Sequence, residues 1–172
     1  IKSSAASDVY KRQVIIGDCS FTYYRVLILK DCPRLSVFEV GMKSFRYVER
    51  IEISRIGLVS ITIGNQQLPK LESFSVNGLN DLSQVTIGDG NGIVNTDSGK
   101  FIIISCAQLT TVIIGDYSFQ NFGIVTIKNN PMLTGIEFGS WCFSRANGVR
   151  FIGIRSCTVT CRLTESSIHH SC

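Results

Sequence analysis

The chemistry-bearing residues of this 172-residue chain gather in three places. The C-terminal stretch holds Cys157, Cys161, His169, His170 and Cys172. Thiolate and imidazole are the groups zinc takes. A C-x3-C step followed by adjacent histidines lacks the tight paired spacing of a structural zinc site, so no metal ligand is assigned there. The second group is the run DGNGIVNTDSG at residues 89–99, where Asp89, Asn91, Asn95 and Asp97 offer oxygens to calcium. No glutamate closes that loop, and Gly, Asn, Asp and Ser are also what a turn requires, so a plain loop is the preferred reading. The third is Glu39 and Glu137, because paired carboxylates cleave glycosidic bonds. The only histidines are the adjacent pair His169 and His170, so no Ser/His/Asp arrangement can be assembled. No catalytic, cofactor-binding or metal-ligating residue is assigned, and no cofactor is expected.

What positions these residues is an internal repeat. Six glycines, Gly17, Gly41, Gly64, Gly88, Gly115 and Gly139, follow an apolar residue at spacings of 24, 23, 24, 27 and 24. Leu35, Leu58, Leu82, Leu109 and Leu133 stand six before a glycine. Val14, Phe38, Ile61, Val85, Val112 and Ile136 stand three before, and Ile16, Val40, Ile63, Ile87, Ile114 and Phe138 one before. Four after stand Phe21, Phe45, Leu68, Phe119 and Phe143, with Gly92 in the fourth turn. A second apolar pair follows ten and twelve residues after the glycine, as in Ile51/Ile53 and Val125/Ile127. Three inserted residues shift it to Phe101/Ile103 in the fourth turn.

Alternation of this kind predicts two half-buried strands per turn. One turn cannot bury its own apolar columns, but stacked turns bury them on each other. The expected fold is a mainly β, leucine-rich-repeat-like solenoid of about six coils. The glycine is expected where a side chain would collide with the backbone. Gly92 is expected to leave extra space beside Phe119.

On that lattice Glu39 and Glu137 lie four turns apart, about 19 Å at strand spacing, too far for an acid–base pair. Cys32 and Cys106 lie three turns apart, beyond disulfide reach. With Cys19 and Cys142 they are read as buried thiols acting as small hydrophobes. The column two before the glycine reads Ile15, Glu39, Thr62, Thr86, Ile113 and Glu137, which is no regular threonine lattice. Tyr23, Tyr24, Tyr47, Tyr117 and Trp141 fall in turns and are candidate contact points, since aromatics are favoured at protein interfaces.

The pattern L-x-x-[VI]-x-[IVF]-G-x-x-S-F stands as LSVFEVGMKSF at 35–45 and LTTVIIGDYSF at 109–119. LTGIEFGSWCF at 133–143 differs by Cys142. Over about residues 14–153 the chain resembles the BspA-like class of leucine-rich repeats, found in surface proteins of certain bacteria and protists. The resemblance implies interaction surfaces, adhesive or host-facing, a cell-surface or secreted location, and no chemistry. Many leucine-rich repeats carry Asn or Cys two after this glycine. Here that column holds Cys19, Lys43, a glutamine, Gly90, Tyr117 and Trp141, so no polar ladder is expected through it.

Residues 3–13, SSAASDVYKRQ, are similar to the in-frame translation of a transposase-type sequencing adapter. Residues 1–13 are therefore read as non-native. The rest is expected to be part of a longer protein. Residues 14–153 are read as the solenoid and 154–172 as a degenerate last repeat or an irregular tail. Formal net charge is +4, half of it in the leading segment, which is too little to argue for nucleic acid. With 44% hydrophobic and 17% charged residues the chain has a core, and no apolar run approaches a membrane span of about 20 residues. The expected function is a non-catalytic scaffold for protein–protein interaction or adhesion within a larger surface protein. The competing readings are a fragment of a carbohydrate-active β-helix enzyme and a structural spacer.

Overall fold

The computed structural model describes residues 13–17, 19–40, 44–93, 98–154 and 156–161. The described residues form strands and turns with no helix. Strands come two per coil: β1 (Gln13–Ile16) and β2 (Val26–Lys30), then β3 (Val37–Val40) and β4 (Arg50–Ser54). Next are β5 (Ser60–Ile63) and β6 (Ser73–Asn77), β7 (Gln84–Ile87) and β8 (Lys100–Ile104). The last are β9 (Thr111–Ile114) and β10 (Ile124–Lys128), β11 (Gly135–Phe138) and β12 (Gly148–Ile152), and finally β13 (Thr158–Cys161).

Odd and even strands segregate into separate parallel sheets. The even sheet runs β2-β4-β6-β8-β10-β12 without interruption. The odd strands form β5-β7-β9-β11-β13 and a separate pair, β1-β3. The missing ladder between β3 and β5 coincides with the one 23-residue glycine interval. There the connector after β4 is one residue shorter than that after β2, and Gly57 lies against the Pro33 backbone.

Register follows the sequence columns. Val85 pairs with Val112 and Val112 with Ile136, while Ile87, Ile114 and Phe138 align behind them. The expected β-solenoid of about six turns is the observed architecture. Two boundaries move. Gln13, grouped with the leading segment, opens β1 opposite Val37, while residues 1–12 lie outside the described residues. At the other end, β13 pairs in register with β11, so the coil pattern continues to Cys161. The stretch 158–161 thus adds a fifth strand to the odd sheet. Its glycine landmark is absent, but Val159 and Cys161 keep the inward alternation.

Inward columns form one continuous core. Val85, Val112, Ile136, Phe101, Phe119 and Phe122 are all fully buried. Phe119 lies 5.5 Å from the Phe143 ring, 5.1 Å from Phe101 and 4.8 Å from Phe122. The space expected beside Gly92 does not exist. A Cβ there would sit 3.0 Å from both Phe119 Cε1 and Phe122 Cε2, because Phe122, from another column, fills the gap.

Ring contact on every side leaves Phe119 no route to collapse. Phe119→Ala is expected to cost about 3–5 kcal/mol in chemical denaturation. Thr86→Ala, on the outer face of β7, is expected to stay within about 0.5 kcal/mol. Equal losses for the two would contradict the inward and outward assignment.

Candidate functional site

The corner after each odd strand carries the polar chemistry of the molecule. It begins with the glycine. A Cβ on Gly88 would lie 2.8 Å from the Asn65 backbone nitrogen, and one on Gly115 would lie 2.7 Å from that of Asp89. The same place at Gly139 meets Asp116 at 2.5 Å. At these three coils the glycine is required by contact with the preceding coil, as the column pattern predicts, whereas a Cβ on Gly64 would meet the Gln67 side chain of its own coil.

Two side-chain ladders run through this corner, one and three residues after the glycine. In the first, Asn65 Oδ1 accepts the Asp89 backbone N–H at 2.9 Å. Asp89 Oδ1 accepts that of Asp116 at 2.8 Å, and Asp116 Oδ1 that of Ser140 at 2.7 Å. In the second, Ser44, Asn91, Ser118 and Cys142 are buried and each donates to the glycine carbonyl of the coil before. Ser44 Oγ reaches Gly17 O at 2.9 Å, Asn91 Nδ2 reaches Gly64 O at 2.9 Å and Ser118 Oγ reaches Gly88 O at 2.8 Å. Cys142 Sγ meets Gly115 O at 2.8 Å.

The column between them, two after the glycine, carries no ladder but a backbone reversal. Cys19, Gln66, Gly90, Tyr117 and Trp141 all have φ between 52° and 66°. For four of these five residues the side chain makes that conformation costly. The reversal turns the N–H toward the following coil: Gln66 donates to Asp89 O at 2.7 Å, and Tyr117 to Ser140 O at 2.8 Å.

One member of the buried ladder departs from it. Gln67 takes the place of serine in the third coil, is only 9% exposed, and its Oε1 has no hydrogen-bond partner. An unpaired buried acceptor costs about 1–3 kcal/mol, which a serine at this place would avoid. Gln67 is also part of the wall of a groove of about 570 Å³ running along the corner. Arg46 contributes from the second coil, Gln66 from the third, Asp89 and Ile93 from the fourth, and Tyr117 from the fifth. Ile93 and Tyr117 are about half exposed, at 48% and 52%. Arg46 is exposed and takes part in none of the ion pairs among the described residues, which join Arg25 to Glu49, Lys30 and Arg50 to Glu52, and Arg55 to Asp31. Hydrogen bonding to Arg55 lowers the Asp31 carboxyl below its usual range, and Lys30 does the same to Glu52.

The residues singled out by type are scattered by the fold. Glu39 on β3 and Glu137 on β11 stand four coils apart. Asp89 and Asn91 spend oxygens on backbone N–H groups of adjacent coils, and Asn95 and Asp97 lie outside the described residues. Cys161 lies on β13 and Cys157 in the connector before it, while His169, His170 and Cys172 lie outside the described residues. Among the described residues no three His, Cys, Asp or Glu converge as a metal site would require. Tyr23 stacks on Tyr47 at 5.9 Å, with Tyr24 nearby on Phe21, whereas Trp141 is half-buried. Arg46, Gln67 and Ile93 carry no motif, and the only sequence signal for them is the change from Ser to Gln in the buried column.

The cysteine reading is corrected in part. Cys19 is exposed and Cys32 half-buried, while Cys106 and Cys142 are buried. Burial pushes the Cys106 thiol up to about 11 and the Cys142 thiol up to about 12, from an ordinary 9.0. Cys142 is a ladder donor rather than a mere apolar filler. Cys142→Ser is therefore expected to keep stability within about 0.5 kcal/mol, whereas Cys142→Ala loses about 1–2 kcal/mol by orphaning the Gly115 carbonyl. Raised thiol values also set a pH limit. The unfolded chain ionises first, so this contribution to stability is complete below pH 9.0 and disappears as pH rises to about 12. Denaturation midpoints from pH 8 to pH 11 should fall, and fall less for the Cys106→Ala, Cys142→Ser double variant.

Compared with known proteins, the chain matches no family model, and no curated protein or solved structure is significantly similar to it.

Proposed function

We propose that this chain is a non-catalytic repeat scaffold that binds a protein ligand, as part of a larger surface or adhesive protein. The observation that supports this most directly is the division of labour between columns. Inward positions and the glycine corner are constrained by contact with adjacent coils. The residues two after the glycine change from coil to coil, from Cys19 to Gln66, Gly90, Tyr117 and Trp141. A rigid frame with a variable outer row is the arrangement repeat proteins use for recognition. Exposed Tyr23, Tyr24, Tyr47 and Tyr117 supply the aromatic area that protein interfaces favour. The resemblance to BspA-like repeats points the same way. No helix among the described residues is long and apolar enough to cross a membrane.

The test is binding of the tetramerised chain to an array of secreted and cell-surface proteins. Saturable binding to a protein target, abolished by protease treatment of that target, is the expected result. Hydrolysis of a glycoside or ester by the purified chain, lost on a single acidic substitution such as Glu137→Gln, would replace the scaffold reading with an enzymatic one.

A further inference from the structure

We propose that the corner groove across the second to fifth coils binds an extended peptide segment. That segment carries an acidic side chain at one end and an apolar one at the other. This deepens the protein-binding reading above and rests on it.

The first argument is the Gln67 side chain. Its column is otherwise filled by short donors, Ser44, Asn91, Ser118 and Cys142, that satisfy the glycine carbonyl of the preceding coil. A longer amide is placed here, nine-tenths buried, with its acceptor unpaired, in the wall of the groove. Natural structures pair nearly all such groups, so the unpaired one needs a use. A primary amide holds a donor and an acceptor in one plane, as a peptide group does. Oε1 is out of solvent contact in the free chain, so a bound peptide must draw the amide outward to meet its main-chain N–H or C=O.

The second argument is charge. Arg46, at the second-coil end, has no ion-pair partner among the described residues. Asp89, two coils further on, already receives the Asp116 backbone N–H. Asp89 keeps its negative charge at that end, so the lining pairs an anion with a cation two coils away, and the cationic end at Arg46 suits a carboxylate.

The third argument is the opposite end. Ile93 and Tyr117, from the fourth and fifth coils, both present half-exposed apolar surface in the lining. From the second to the fifth coil is three strand spacings, about 14 Å, which an extended peptide covers with about four residues. An acidic residue over Arg46, two residues reading Gln67 and Gln66 through the main chain, and an apolar residue on Ile93 and Tyr117 fit that length. A sugar chain would supply hydroxyls to Gln67 but no fixed charge for Arg46.

The experiment uses the full chain and two fluorescent, capped tetrapeptides, Glu-Ser-Thr-Leu and Leu-Ser-Thr-Glu, because the groove does not dictate chain direction. One of them is expected to bind with a dissociation constant below about 1 mM, modest as befits so small a ligand. Replacing its Glu by Lys should weaken binding about tenfold, and Arg46→Glu should reverse that preference. Gln67→Met keeps the side-chain length and removes the amide. It should weaken binding about tenfold while raising the thermal midpoint of the free protein, because the unpaired acceptor is gone. Should Gln67→Met fail to fold, the charge reversal at exposed Arg46 decides the matter alone. Equal binding of the Glu and Lys peptides, or unchanged affinity in Gln67→Met, would overturn the proposal. So would binding of cellohexaose where neither peptide binds. If a protein target found by array binds Arg46→Glu and Gln67→Met as well as the parent, the groove assignment fails while the scaffold reading stands.

Discussion

Everything in this fold depends on how closely one coil can lie on the next at the glycine corner. At Gly88, Gly115 and Gly139 a single extra carbon would overlap the backbone of the preceding coil. That approach brings the glycine carbonyl within reach of a buried side chain from the following coil, and brings the Asx oxygens one position on within reach of the next N–H. Polar backbone groups at a buried corner would otherwise go unpaired, at a cost no apolar column could offset. The ladders and the core therefore need each other. The sheets bring the corners together, and the corners hydrogen-bond only at that distance.

The same requirement explains the backbone conformation. Twelve non-glycine residues among those described have positive φ, including Phe45, Phe119 and Phe143. Isolated, each would favour another conformation. In the stack, such residues direct their N–H to an adjacent coil: Ser105 to Lys128 and Asn129 to Ile152 of the following one, Phe45 to Ser20 and Phe119 to Asn91 of the preceding one. A pairing distributed over many coils holds each residue in a state it would not choose alone.

Much of the fold was legible because a stack converts sequence spacing into register with no further unknowns. The alignment of Val85, Val112 and Ile136 could be counted from the glycines. The polar ladder was not legible, although its residues were in view. Ser44, Gln67, Asn91, Ser118 and Cys142 look unrelated as types. What unites four of them is a donor held over one carbonyl, a property of position that only coordinates reveal. The contents of the Gly92 corner were hidden for a different reason. Phe122 belongs to another column and crosses into it, so column counting placed space where a ring lies. The groove joins residues from four coils whose only common feature is facing the same way.

The interrupted ladder between β3 and β5 has a mechanical meaning. Among the six two-stranded coils each of the other steps is tied through both sheets, but at this step only the β4-β6 edge is hydrogen-bonded strand to strand. A solenoid under bending load yields at its weakest interface, and nearest-neighbour coupling confines the yielding to that place. The first two coils, with the stacked Tyr23 and Tyr47 rings, are thus joined to the rest on the odd-strand side by side-chain packing of the shared core, and by strand hydrogen bonds on the even side alone.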